Sequence, residues 1–300
     1  MSYKMGVVWF FLFISAVAPA SVIPDATSMY LPGGGAAGDH YTPIGSPLSP
    51  GETVISGVPA YLWRHGCGPT AAGMVLGYWD MHGFPNLLPG DSSTQTEAVN
   101  QAIASDQHYE DYALPLDNPS TGLLLDKSCD GEAHESNSIA DFMMTSWAMV
   151  GNYYGWSSFT GARGAFGSYT DYVNATTGSG YIATVSSRTW STVGFNWSRY
   201  VSQIDSHHPV LLLVDSSGDG TTDHFVTAIG YRQTNGYNEY ALFDTWSNTQ
   251  IRWERFWNVA SGQPWGIYGA IFYDVTPEPS TALMLILVVL TSARRIRRIG

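Results

Sequence analysis

A chain of 300 residues with a formal net charge of −12 and only 13 lysines and arginines is a poor partner for nucleic acid, where cationic contacts to phosphate dominate affinity. The length suits one ordinary domain once both termini are set aside. Two cysteines exclude a disulfide-dense scaffold and leave either one bridge or free thiols.

Residues 1–20 carry Lys4, an apolar run from Val7 to Ala18, and the small-residue site Ala18-Pro19-Ala20, which is the pattern of a secretory signal peptide. The run is short for a bilayer span, which disfavours an N-terminal anchor. Residues 21–57 are rich in Gly, Pro and Ser without a sustained period and predict an arm that lacks helices. A domain is expected over residues 58–275. It opens with an extended segment, Val58 to Trp63, that runs into Gly66-Cys67-Gly68-Pro69-Thr70-Ala71-Ala72.

That stretch predicts a tight turn delivering Cys67 to the first turn of a buried helix. Gly66 and Gly68 permit unusual backbone angles, and Pro69 suits a helix's first turn. Ala71, Ala72, Val75, Leu76 and Trp79 recur at helical spacing. The positive end of the helix dipole favours thiolate, the nucleophilic form of cysteine. Two other readings stay open: a small buried core residue, and a Cys67–Cys129 disulfide in an oxidising compartment.

Met81–Ser93 predicts a loop, and Thr94–Asp106 an amphipathic helix with Ala98, Ala102 and Ile103 inward. Residues 107–134 form an acidic excursion that contains Cys129. Asn137 or Ser138 is the expected cap of a helix through Ile139–Tyr153. From Gly155 the composition predicts β structure, with strands at Tyr181–Ser186, Val210–Val214, His224–Tyr231, Glu239–Asp244, Gln250–Trp257 and Ile267–Asp274. A helix at Trp197–Ser206 interrupts them. Leading helices followed by an antiparallel sheet give the class α+β.

A nucleophilic cysteine needs a base, and the base needs an orienting group. Of the eight histidines, His40, His82, His108 and His134 fall in loops and are expected at the surface, while His207 and His208 end a helix. His224 stands at the mouth of the apolar strand His224-Phe225-Val226-Thr227-Ala228-Ile229. Asp244 ends the neighbouring strand, where a carboxylate would orient the imidazole. The chain is similar to the papain-like cysteine peptidases of the bacteriocin-processing, peptidase C-thirty-nine-like group at GCGPTA, DHFVTAIGY and FDTW. The resemblance implies a papain-like fold and an exported cysteine peptidase that cleaves peptide or protein substrates. It makes Cys67 the nucleophile, His224 the base and then the acid, and Asp244 the orienting residue. The group usually places a Gln six positions before the cysteine to stabilise the oxyanion. Tyr61 stands there, so the Cys67 N–H would serve, helped by Tyr61, Arg64 or His65. Other readings of the same scaffold are a thiol acyltransferase, or a surface or matrix-binding protein that uses Trp246, Trp253, Trp257 and Trp265.

Asp215, Asp219 and Asp223, spaced around Gly220, admit a structural calcium site or a solvated turn; the glutamate that closes an EF-hand loop is missing. The last segment, residues 276–300, joins Pro277-Glu278-Pro279, an apolar Thr281–Ala293 and Arg294-Arg295-Ile296-Arg297-Arg298. It resembles the PEP-CTERM sorting signal of Gram-negative bacteria. That resemblance implies export by way of signal peptidase, recognition by an exosortase-type sorting enzyme, and a transient inner-membrane anchor.

Overall fold

The computed structural model describes residues 40–112 and 126–278. The expected signal peptide and the apolar part of the sorting segment lie outside them. Helices α1 (Cys67–Met81), α2 (Glu97–Ile103), α3 (Asp106–Tyr112), α4 (Ile139–Met143) and α5 (Phe159–Thr177) lead the domain. Short strands β1 (Tyr41–Pro43) and β2 (Thr53–Val54) precede α1. The rest is β3 (Tyr181–Thr189), α6 (Trp197–Asp205), β4 (Val210–Asp215), β5 (His224–Thr234), β6 (Tyr237–Phe243), β7 (Gln250–Arg255) and β8 (Gly266–Pro277). Among the described residues the strands form one antiparallel sheet in the order β1-β7-β6-β5-β4-β8-β3, with β2 paired to β5. The class is α+β, as expected.

Small residues let α1 sink into the core. A side chain at Gly73 would strike Ile103, and one at Gly77 would strike the Tyr61 hydroxyl, so neighbouring segments close directly on the helix backbone. Every residue from Cys67 to Tyr78 is buried. Thr227 on β5 donates its hydroxyl to the Ala71 carbonyl at 2.8 Å, which fixes α1 against the sheet. β4 is buried along its whole length between β5 and β8, as its continuous apolar run requires. On α6, Tyr200 and Ile204 are buried, and the Tyr200 hydroxyl donates to the Gly230 carbonyl amid the rings of Phe195, Tyr240 and Phe256.

Several expectations are corrected. The segment after Gly155 is not β-rich: α5 is a 19-residue helix capped by Ser158, with Ala162, Ala165, Phe166, Tyr169 and Val173 buried at helical spacing. Its glycines are not breaks. Gly161 lets α5 approach the Met143 carbonyl, and Gly164 and Gly167 face open space. The helix expected over Ile139–Tyr153 stops at Met143, because Met144 turns left-handed at φ 55° and a 3₁₀ turn follows at Ala148–Val150. Ser138 is its cap, with a reciprocal capping box to Asp141. The helix expected over Thr94–Asp106 is the shorter α2, with Val99 rather than Ala98 inward, and the expected excursion from residue 107 opens with α3.

Candidate active site

Cys67 is the first residue of α1 and His224 the first of β5, so the Thr227 contact that docks the helix on the sheet also brings the two side chains together. Gly66 makes the approach feasible. Its φ is 146°, and a Cβ there would come within 2.9 Å of the Gly155 carbonyl oxygen and the Thr145 methyl. The Phe225 N–H donates to Cys67 Sγ at 3.4 Å. Burial pushes the thiol up, but the charge of His224, its hydrogen bond and the Phe225 N–H outweigh that, and the thiol lies below its ordinary value. Burial likewise pushes the His224 imidazole down. The adjoining sulfur and the Asp244 carbonyl overcome it, so the ring lies above its ordinary value. Both directions favour a thiolate–imidazolium pair. The sulfur is a free thiol, which removes the disulfide reading of Cys67.

His224 Nε2 donates to the main-chain carbonyl of Asp244 at 2.8 Å, leaving Nδ1 for the thiol. The Trp246 ring stacks on the imidazole at 4.4 Å with an interplanar angle of 20°, and Trp265 meets it edge-on at 6.0 Å. The expectation that the Asp244 carboxylate orients His224 is therefore corrected: residue 244 is the partner, through its backbone. Its Oδ1 accepts from Trp246 N–H at 2.9 Å and Ser247 N–H at 3.1 Å, while Oδ2 accepts from the Tyr41 hydroxyl at 3.0 Å. A carboxylate that ends a strand satisfies the N–H groups of the following turn, and this one does so. The turn is tightly wound. Thr245 is β-branched yet sits at φ 65°, and its carbonyl accepts from Trp63 N–H at 2.7 Å.

The expected cleft residues do not reach the thiol. Tyr61 is fully buried against Gly77, and its hydroxyl donates to the Ser92 carbonyl. Gly77 is about 15 Å along α1 from Cys67 at the helical rise per residue. The Arg64 guanidinium is taken by Asp106 at 3.0 Å and the Ala104 carbonyl at 3.2 Å, and it lies over the Tyr109 ring. His65 is fully buried at φ 55°, bonded to Ser146 and packed on His108, Tyr109 and Tyr154. Burial pushes its imidazole well below the ordinary range. The Cys67 N–H, at the uncapped start of α1, remains of that oxyanion set.

Two of the histidines expected at the surface are not there. His108 is fully buried between Asp141 and the Thr145 carbonyl, and His134 bridges Asp111 and Asp141. Trp253 and Trp265 belong to the core, and Trp246 packs on His224, which leaves little of the expected aromatic surface. Asp215, Asp219 and Asp223 do not converge. Asp215 accepts from Gly218 and Gly220 N–H, Asp219 from Thr221 N–H, and Asp223 from Ser216. Among the described residues no cluster of three or more His, Cys, Asp or Glu side chains could hold a metal ion.

Sequence reasoning named Cys67, His224 and Asp244, which the structure brings together, but missed Trp246 as the ring's stacking partner, the Phe225 N–H on the sulfur, and Tyr41. The FDTW motif signals Trp246. Nothing in the pattern around Tyr41 signals its role.

No curated protein matches the chain. The model of the family described as Peptidase_C39 like family matches residues 55–265, a span that runs from the segment before Cys67 to Trp265 beside His224. With that match and a helix-borne cysteine beside a strand-borne histidine, the chain belongs to the peptidase C39-like family and carries its papain-like α+β fold.

Proposed function

We propose that the protein is an exported thiol peptidase that hydrolyses peptide bonds through Cys67 and His224. The observation that carries this reading is the juxtaposition of the two side chains, in which His224 is tied at Nε2 to the Asp244 carbonyl and the sulfur receives the Phe225 N–H. His224 holds the Cys67 proton, and the thiolate attacks the scissile carbonyl. The C–S bond forms and the negative charge moves to oxygen, which accepts a hydrogen bond from the Cys67 N–H. Imidazolium Nδ1–H then protonates the leaving amine as the C–N bond breaks, giving a thioester. Water, deprotonated by His224, resolves the thioester and restores the thiol. An amine in place of water would make the same site an acyltransferase. Trp246 and Trp265 shield the imidazole and hold its plane.

Export rests on the pattern of residues 1–20 and on the proline, apolar-run and arginine order of residues 276–300. We propose signal peptidase and an exosortase-type enzyme as processing partners, and the cell surface or extracellular matrix as the destination. Among the described residues no helix is long and apolar enough to cross a membrane; residues 281–293 lie outside them.

The test of the catalytic reading is cleavage of a quenched-fluorescent peptide library by the full chain beside Cys67→Ala. Cleavage is expected only with the cysteine. Cleavage that survives the substitution refutes the reading.

A further inference from the structure

Residues 40–44 lie as a strap along the outer strand β7, far in sequence from the strand ends that carry His224 and Asp244. The strap is held by the Trp253 N–H to the His40 carbonyl at 2.7 Å, the Ile44 N–H to the Thr249 carbonyl at 2.9 Å, and the Trp253 indole N–H to the Thr42 hydroxyl at 2.9 Å. Its register sets Tyr41 opposite Arg252. From there the Tyr41 hydroxyl donates to Asp244 Oδ2 at 3.0 Å and accepts from the Arg252 guanidinium. Arg252 is itself fixed. It pairs with Glu254 at 2.7 Å and lies between the Tyr41 and Trp265 rings at 4.9 and 4.0 Å. Asp244 thus has its main-chain oxygen on the catalytic imidazole and its carboxylate tied to the strap.

We infer that Tyr41 is a positioning residue for the Cys67–His224 pair, acting through Asp244, and that the strap completes the active site. The inference rests on the thiol-peptidase reading. The Asp244 carboxylate has two backbone partners on its own turn, Trp246 and Ser247 N–H, which set the local shape of the turn. Neither ties that turn to the rest of the sheet. The Tyr41 hydroxyl does, beside Arg252 at 3.9 Å from the same Oδ2, and through it the strap bears on where the Asp244 carbonyl stands against Nε2. Burial and the Asp244 charge push the Tyr41 phenol up to about 12, so it remains a donor throughout the range in which the thiol titrates. The charged groups around it are Asp244, Arg252 and Glu254, with His40 beside Glu254 at 3.9 Å. None of them touches the Cys67 sulfur.

The experiment measures iodoacetamide labelling of Cys67 against pH in the full chain, quantified on the Cys67 peptide, for the wild type, Tyr41→Phe and Thr42→Val. Phenylalanine keeps the ring over Arg252 and removes only the hydroxyl. Thr42→Val removes a strap contact that does not reach Asp244. The expected result is an upward shift of the Tyr41→Phe curve by roughly half a pH unit, read as about a threefold loss of rate below the midpoint, since one unit is tenfold. Thr42→Val is expected to follow the wild type. A Tyr41→Phe curve that overlays the wild type overturns the inference alone, as does an equal shift in Thr42→Val. A Tyr41→Phe chain that no longer melts cooperatively also overturns it, because the hydroxyl would then hold the fold rather than the site. A wild type that labels as an ordinary thiol overturns the peptidase reading and the inference together.

Discussion

Replacing Asp244 by asparagine separates an imidazole held by a main-chain carbonyl from one held by a carboxylate. The Asp244→Asn variant keeps the backbone carbonyl that receives His224 Nε2, and its amide oxygen still accepts from the Trp246 and Ser247 N–H groups, which stand at 2.9 and 3.1 Å from the native Oδ1. The loss is the charge facing Tyr41 and Arg252 together with the Oδ2 acceptor of the Tyr41 hydroxyl. Labelling of Cys67 at neutral pH is therefore expected to fall by about tenfold or less, against the ~10⁴-fold loss of turnover seen when a carboxylate that directly orients a catalytic histidine is made an amide. Asp244→Ala behaves differently. It strips an acceptor from Trp246 N–H, Ser247 N–H and Tyr41 O–H. At the low end of about 1–3 kcal/mol for each unsatisfied donor, the fold loses roughly 3 kcal/mol. For a domain of this size that lowers Tm by about 6–12 °C. Thermal melts and iodoacetamide rates on the two variants read these effects separately. A loss of labelling of about 10³-fold or more in Asp244→Asn, with Tm unchanged, would refute the backbone assignment.

Gly66→Ala is expected to destabilise by about 1–3 kcal/mol and to slow Cys67 labelling, because φ 146° is strained for any side chain and the new methyl meets the Gly155 oxygen at 2.9 Å. Melting and labelling of that variant read both effects. Thr227→Val removes the hydroxyl that docks α1 and is expected to lower Tm by about 2–4 °C, from a net worth of about 1 kcal/mol. Asp141 is buried, which raises its carboxyl, but hydrogen bonds from His108, Asn137 N–H and Ser138 hold it down at about 2. A depressed carboxylate contributes stability above its unfolded value that is lost as pH falls through the folded one. Roughly 2 kcal/mol should thus disappear between about pH 4 and pH 2. In Asp141→Asn, denaturant melts across that window should show a flatter slope; an unchanged slope would show that other groups carry the acid sensitivity.

The sequence made the sheet legible because its strands are continuous apolar runs or clean alternations bounded by turns. Val210–Asp215 is the plainest case, and the structure buries it completely. The cysteine turn was legible for a related reason: a glycine with nowhere to put a side chain and a proline in a helix's first turn each have few alternatives. α5 was hidden because its glycines read as punctuation, whereas Gly161 admits the Met143 carbonyl and the others face solvent. The premature end at Met144 depends on a left-handed residue fixed by tertiary contacts, and periodicity carries no trace of it. At the site, residue types pointed to Cys67, His224 and Asp244 but could not say which oxygen of Asp244 faces the ring. That choice belongs to the turn after β6, where Trp246 and Ser247 N–H claim the carboxylate. The burial of Tyr61, the capture of Arg64 by Asp106 and the enclosure of His65 depend on α2, α3 and the Ser146 turn, all distant in sequence.

All of the proposed chemistry depends on activation of Cys67 by His224. Its most direct measurement is the pH dependence of iodoacetamide labelling at Cys67 in the full chain, compared with His224→Ala. Fast labelling that persists well below pH ~8.5, the free-thiol value, is expected, with loss of that low-pH labelling in the variant, where burial and the Asp223 charge push the thiol up and only the Phe225 N–H opposes them. Slow labelling that follows an ordinary thiol, or equal rates in the two proteins, would contradict it.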